Sequence, residues 1–194
     1  VLPPDVNHSQ WQHTLQGPEQ HLRLGLRIIQ GLSRNGAERV HQNRPANGYQ
    51  SAAELRTRAG LNQSDMELLA GANAMPGFTR NRHQAYWQLL EHEEPAELFA
   101  NEAMTEYTPE PCHLLPEPTE GQNVLADYSS QGLTLQRHPL ALLREQGHLR
   151  HCLTADQLKA TRPGIPVQVA GLVTGRQRPG TASGVTFVTL EDET

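Results

Sequence analysis

The stretch "LRIIQGLSRNGAERV", Leu26 to Val40, decides how this 194-residue chain is read. Leu26, Ile29, Gly31, Leu32, Ala37 and Val40 fall on the spacing h-x-x-h-x-G-h-x-x-x-x-A-x-x-h. Gly31 permits a tight backbone turn, including a left-handed one that a side chain would oppose. Leu32 then plugs the angle between two helices. The N–H groups that open the second helix have no intrahelical partner and suit an anion.

This spacing is that of the helix–hairpin–helix DNA-binding motif, with Ser33 where a second Gly is usual. Contacts of this kind go to phosphates, so they give affinity without reading sequence. Arg34 and Arg39 beside the turn are expected to add salt-dependent attraction. Ser33 is itself a good N-cap, so the helix start survives the substitution. A weaker copy follows in "LRTRAGLNQSDMELL", with Gly60, Leu61 and Asn62 in the turn and Leu55 on an apolar position. Arg58 and Met66 depart from the pattern, so this copy reads either as a second phosphate contact or as support for the first. A pseudo-dimer of two such units buries what neither buries alone.

Outward from the motif, Leu22, Leu24 and Leu26 alternate as in a strand, "HLRLGLRII", which the motif overrides beyond Leu26. Capping boxes are expected at Ser51 with Glu54, Ser64 with Glu67 and Thr154 with Gln157. Gly60 and Gly71 stand where helices should end. A longer helix is predicted from Arg80 to His92 with Thr79 as N-cap. Residues 93–121 turn acidic and Pro-rich, as a linker or strap does. Pro139 should open a short helix in "HPLALLREQG". Val167–Val173 and Gly184–Leu190 read as a strand pair around a basic turn.

The net charge of −5 conceals segregation. Residues 21–90 hold nine Arg against four acids, whereas 91–127 hold ten acids and no Lys or Arg. The basic block suits nucleic acid, and the acidic block suits a protein partner or self-shielding. Apolar residues are 36% of the chain and Gly and Pro are frequent, which favours small modules joined by linkers. No apolar run is long enough for a membrane span. Two cysteines, Cys112 and Cys152, fit a reduced cytoplasmic protein, and neither they nor the nearby His residues have zinc-ligand spacing. The opening "VLPPDVNHSQ" lacks an initiator Met and any signal sequence, as expected of a piece of a longer protein.

"VLPPDVNHSQW", "LRLGLRIIQGL", "EGQNVLADYSSQGLTLQRHPLALLR" and "VAGLVTGRQRPGTASGVTFVTLEDET" resemble the C-terminal part of the bacterial C-family DNA polymerases, the family of the polymerase III alpha subunit. The last two stretches resemble its error-prone, translesion branch. The resemblance implies a multi-module α+β chain. Residues 1–25 would end the fingers region, and 26–92 would be a tandem helix–hairpin–helix domain holding duplex DNA. An acidic linker over 93–121 and short helices over 122–163 would lead into an incomplete OB-fold over 164–194.

The resemblance further implies that Gly31, Leu32, Ser33, Arg34, Gly36, Arg39, Gly60 and Asn62 serve duplex binding. Arg176 and Arg178, in the turn of the final strand pair, would approach single-stranded template. Catalytic aspartates and their Mg²⁺ would lie upstream. Asp5, Asp65, Asp127, Asp156 and Asp192 are isolated here, so no catalytic residue, metal or cofactor is expected in this segment. In "EEPAELFANE", Leu98 and Phe99 match the hydrophobic anchors of a sliding-clamp peptide, but Pro95 replaces its Gln. They are more readily read as pinning the acidic strap.

The leading expectation is therefore a non-catalytic, primer–template-binding part of an error-prone polymerase in damage-induced (SOS) mutagenesis. The alternative is a module that recruits the clamp, directly or through a mutasome partner. The unpaired strand edge makes Gly164–Thr194 the expected weakest part, and the chain end reads as a boundary within a longer protein.

Overall fold

Gly31 adopts φ +81°, and from there the chain commits to helix. The computed structural model describes residues 1–90, 115–181 and 184–194. They form two units, Val1–Leu135 and Gln136–Thr194.

In the first unit a short β-hairpin, β1 (Thr14–Gln16) with β2 (His21–Arg23), precedes a single 3₁₀ turn at Leu26–Ile28. The strand expected from the Leu alternation stops at Arg23, because Leu24 and Leu26 turn into the core while Leu22 stays exposed. The first ten residues are tied in by polar contacts. Ser9 Oγ accepts from the Asp5 amide at 3.0 Å and donates to the Leu24 carbonyl at 2.6 Å. Asn7 pairs with the backbone of Tyr49 in both directions, at 2.7 and 3.1 Å.

Four helices follow: α1 (Arg34–Gln42), α2 (Ala52–Ala59), α3 (Gln63–Gly71) and α4 (Arg82–Leu90). The apolar positions of both motif copies meet in one core, where Leu26, Ile29, Leu32, Ala37 and Val40 pack with Leu55, Leu61, Met66 and Leu69. Met66, a departure from the pattern by sequence, is fully buried, as suits a flexible thioether that adapts to irregular core space. Arg58 stays at the surface and pairs with Glu54 at 2.8 Å. Tyr49 is buried with its hydroxyl on the Val40 carbonyl, and burial raises its pKa above the usual phenol value.

Several caps differ from expectation. Asn62, not Ser64, caps α3, its side chain accepting from the Asp65 amide at 2.7 Å. Asn is as good a cap as Ser and comes two residues earlier. Ser51 does cap α2, but Glu54 reaches back to the Gln50 amide instead of closing the box. Thr79 donates to the Met75 carbonyl, and Asn81 accepts from the Gln84 amide at the start of α4. After α3 the left-handed residue is Asn73, while Gly71 remains helical with Tyr86 pressed against it.

Residues 93–114 of the expected linker lie outside the described residues. The rest of it leads directly into α5 (Glu120–Gln131), a helix with a complete Thr119–Gln122 capping box. Helix α5 docks on the helical unit through buried Val124 and a buried ion pair, Arg82–Asp127 at 2.7 Å. Arg82 also donates to the Gly71 carbonyl and Asp127 accepts from Thr134, so both charges are hydrogen-bonded as well as paired. The Gln30 amide bonds the Ser130 carbonyl at 2.8 Å, which joins α5 to the residue before Gly31.

The second unit holds α6 (Pro139–Glu145), α7 (Ala155–Lys159) and two small strand pairs. Pro139 opens α6 and the Thr154–Gln157 box opens α7, both as expected, and the His138 side chain caps α6 by accepting from the Leu140 amide. β3 (Cys152–Leu153) pairs in parallel with β4 (Gln168–Val169). The final pair is β5 (Leu172–Gln177) with antiparallel β6 (Phe187–Glu191). The expected first strand, Val167–Val173, is thus divided between two sheets. Its hairpin arm starts at Leu172 and carries Arg176 within the strand. Few residues are buried here, and Val173, Val188 and Phe187 are all more than half exposed. Arg144 organises the unit by donating to the carbonyls of Leu149 and Cys152 while pairing with Glu193.

Candidate nucleic-acid interface

Gly31 and Gly60 head equivalent turns, both with positive φ, +81° and +58°. Each turn is braced by the helix of the other copy. Leu68 of α3 lies against Gly31, where an added Cβ would sit 3.5 Å from it. At the equivalent place Arg39 of α1 reaches the second turn, donating from Nε to the Ala59 carbonyl at 2.7 Å and from Nη2 to the Gly60 carbonyl at 2.9 Å. The repeat is thus a reciprocal embrace in which one arm is apolar and the other cationic. A cation at the end of α2 also opposes the negative pole of that helix.

A third cross-brace breaks the symmetry. The Asp65 carboxylate, on α3, accepts from the Ser33 amide at 3.1 Å and from the Ser33 hydroxyl at 2.8 Å. Ser33 Oγ in turn accepts from the Gly36 amide at 3.0 Å. Gly36 is required by this crowding, since a Cβ there would lie 2.6 Å from both Asp65 Oδ2 and Ser33 Oγ. A buried carboxylate therefore already occupies one N–H that the sequence offered to phosphate.

What remains open differs between the turns. At the first, the amides of Arg34 and Asn35 meet no protein acceptor among the described residues. At the second, the amides of Asn62, Gln63 and Ser64 are open in the same sense. Leu32 and Leu61 are buried as plugs, as their positions in the motif require. Arg34 is exposed and pairs with Glu38 one turn on, at 2.8 Å. The structure thus gathers Gly31, Leu32, Ser33, Arg34, Gly36, Arg39, Gly60 and Asn62 around two turns. Arg176 and Arg178 belong to the second unit, on and just after β5. Leu98 and Phe99 lie outside the described residues.

Sequence reasoning missed Asp65, Leu68 and Arg82. Their partners are 32, 37 and 45 positions away, beyond any local spacing signal. Among the described residues, the Mg²⁺ implied for a polymerase finds no fitting donor set. Asp5 accepts from Asn7, Asp65 from Ser33, Asp127 from Arg82 and Thr134, Asp156 from Lys159, and Asp192 from Ala155 and Thr194. No helix of the described residues is long and apolar enough to cross a membrane.

The comparisons with known proteins agree with this geometry. The family model described as "Helix-hairpin-helix motif" matches residues 1–85. A protein named "Error-prone DNA polymerase" from Pseudomonas paraeruginosa is 46% identical over 98% of this chain and 19% of its own length. Proteins of the same name from Alkalilimnicola ehrlichii and Idiomarina loihiensis are each 45% identical, over 100% and 99% of this chain. This chain covers 19% and 18% of their lengths, about a fifth of each relative.

Proposed function

We propose that this chain belongs, over the segment it spans, to the error-prone DNA polymerase family and is the DNA-holding part of such an enzyme. The parent would be a bacterial C-family nucleotidyltransferase of damage-induced translesion synthesis, working with Mg²⁺ in the cytoplasm. Its active site would lie on another part of the chain. The single observation that carries the reading is the pair of embraced turns with open helix-start amides at Arg34, Asn35, Asn62, Gln63 and Ser64. Such amides, backed by helix dipoles, bind phosphate oxygens of any sequence. Product duplex is the fitting ligand, because a polymerase must hold every sequence it makes.

In this reading Gly31, Leu32, Ser33, Gly36, Gly60 and Asn62 shape the amide sites, and Arg34 supplies long-range attraction. Arg39 holds the second turn in shape. The β5–β6 pair would be the start of an OB-fold, with Arg176 and Arg178 directed to single-stranded template. Clamp or mutasome recruitment through Leu98 and Phe99 is the second reading. Titration of the chain with primer–template DNA over a range of salt separates the two. Affinity that falls steeply with salt and is lost in Gly31→Val and Arg34→Glu supports the DNA handle. Clamp binding lost in Phe99→Ala, with no DNA affinity at low salt, would overturn it.

A further inference from the structure

A groove of about 210 Å³ runs beside α1, bounded by residues 10–12 on one side and by Arg34, Glu38, His41 and Gln42 on the other. Trp11 lines it while resting on the core at its back. Nothing in the helix–hairpin–helix logic calls for an indole or an amide-rich wall at this place, because phosphate binding needs only N–H donors. The groove mixes donors and acceptors. Arg34 and Gln10 can donate, the Glu38 carboxylate accepts, and Gln42 does both. A phosphate would be repelled by Glu38, whereas a nucleobase edge presents both kinds of group and a π-face for the indole. At about 210 Å³ the groove is smaller than the roughly 300–1,000 Å³ pockets that take drug-sized ligands, which suits a single small planar group.

We propose that this groove receives one unpaired nucleobase of a DNA strand held at the first turn. Trp11 stacks on the base, and the Arg34–Glu38 pair, His41 and Gln42 meet its edge. Arg34 belongs to both places, because its side chain lines the groove while its amide is open at the start of α1. A base can enter only where the strand is not paired, so the ligand is a single-stranded extension next to duplex. The inference rests on the duplex-holding reading and adds a feature that duplex binding does not need.

The test uses the full chain with Trp87→Phe, which leaves Trp11 as the sole tryptophan reporter. It is titrated with blunt duplex, with the same duplex carrying a short dT extension, and with free oligo-dT. Quenching of Trp11 emission by the extended duplex and not by the blunt one is expected. His41→Ala and Gln42→Ala should each weaken the extended complex about three- to tenfold, the range of one lost hydrogen bond, and leave blunt-duplex affinity unchanged. Equal affinity for both duplexes with unchanged Trp11 emission overturns the groove while keeping the handle. Quenching by oligo-dT without any duplex binding keeps the groove and overturns the handle.

Discussion

Asp65 grips Ser33 with both carboxylate oxygens across 32 residues, so the start of α1 is held by a charge from α3. The carboxylate stabilises the helix start that it neutralises, and it opposes an incoming phosphate at the same turn. Asp65→Asn keeps most of the geometry and removes the charge. Its stability should fall by about 1 kcal/mol, the difference between a charged and a neutral hydrogen bond. Its DNA affinity at low salt should rise up to about fivefold, since a charge some 4 Å away in water is worth about 1 kcal/mol. Urea denaturation and DNA titration on the same preparation measure both. Unchanged affinity would place the DNA away from the first turn.

The contrast between what local pattern reveals and what it hides is clear at these residues. Leu32, Val40, Leu55 and Leu61 could be assigned from spacing alone, because burial follows helix period. Ser51, Thr154 and Pro139 were legible for the same local reason. Asp65 to Ser33 and Arg39 to Gly60 were not, because a surface charge and a cross-bracing charge look alike until the two copies are packed. The start of helix α5 was hidden by the acidic composition before it, although its Thr119 and Gln122 formed a readable box. The β5 boundary moved because Gly175 and Arg176 carry no strand propensity of their own, and pairing with Thr189 and Val188 decides their state.

Arg34 and Arg39 should separate cleanly in their effects. Arg39→Ala removes two bonds to the end of α2 and should cost about 1–2 kcal/mol of stability. Arg34→Ala breaks only an exposed pair and should change stability by less than about 0.5 kcal/mol. For DNA the order reverses. Arg34→Ala should reduce the slope of log affinity against log salt by about one, the loss of one phosphate contact. A salt titration of each variant, beside its thermal melt, checks the crossing.

Asp127 holds α5 through a buried pair, with its side chain 12% exposed and that of Arg82 6% exposed. Removing one partner strands the other charge in the interior. Asp127→Ala should therefore cost about 3–5 kcal/mol, far more than any surface pair of this chain. Arg82→Met with Asp127→Leu should recover most of that loss, because apolar groups of similar volume need no partner. Chemical denaturation of the single and double variants gives the comparison.

The second unit should loosen in acid through Asp192. Its carboxylate accepts amide hydrogen bonds from Thr194 and Ala155, which hold its pKa below the ordinary value of 3.8. A carboxyl depressed by folding contributes its stability above the unfolded pKa and loses it as pH falls through the folded one. The effect should thus appear only below about pH 4, as increased exchange of the Ala155 amide at the start of α7. Asp192→Asn should show that faster exchange already at neutral pH. Identical profiles for the two proteins would remove Asp192 from the account.

Among the described residues, the β5–β6 ribbon should open most readily. Two strands alone bury little, and Val173 at 62% and Phe187 at 57% exposure show that neither face of this pair is covered within its unit. The free energy for local opening follows buried apolar contact, which α1 and α3 have through Val40 and Leu69 and the ribbon lacks. Native-state hydrogen exchange should therefore find Leu172–Gln177 and Phe187–Glu191 exchanging well before Arg34–Gln42 and Gln63–Gly71. The exposed edges also invite pairing with another strand. Exchange in the ribbon should slow as protein concentration rises, while exchange in α1 stays constant. Protection of the ribbon equal to that of α1 at low concentration would contradict this ordering.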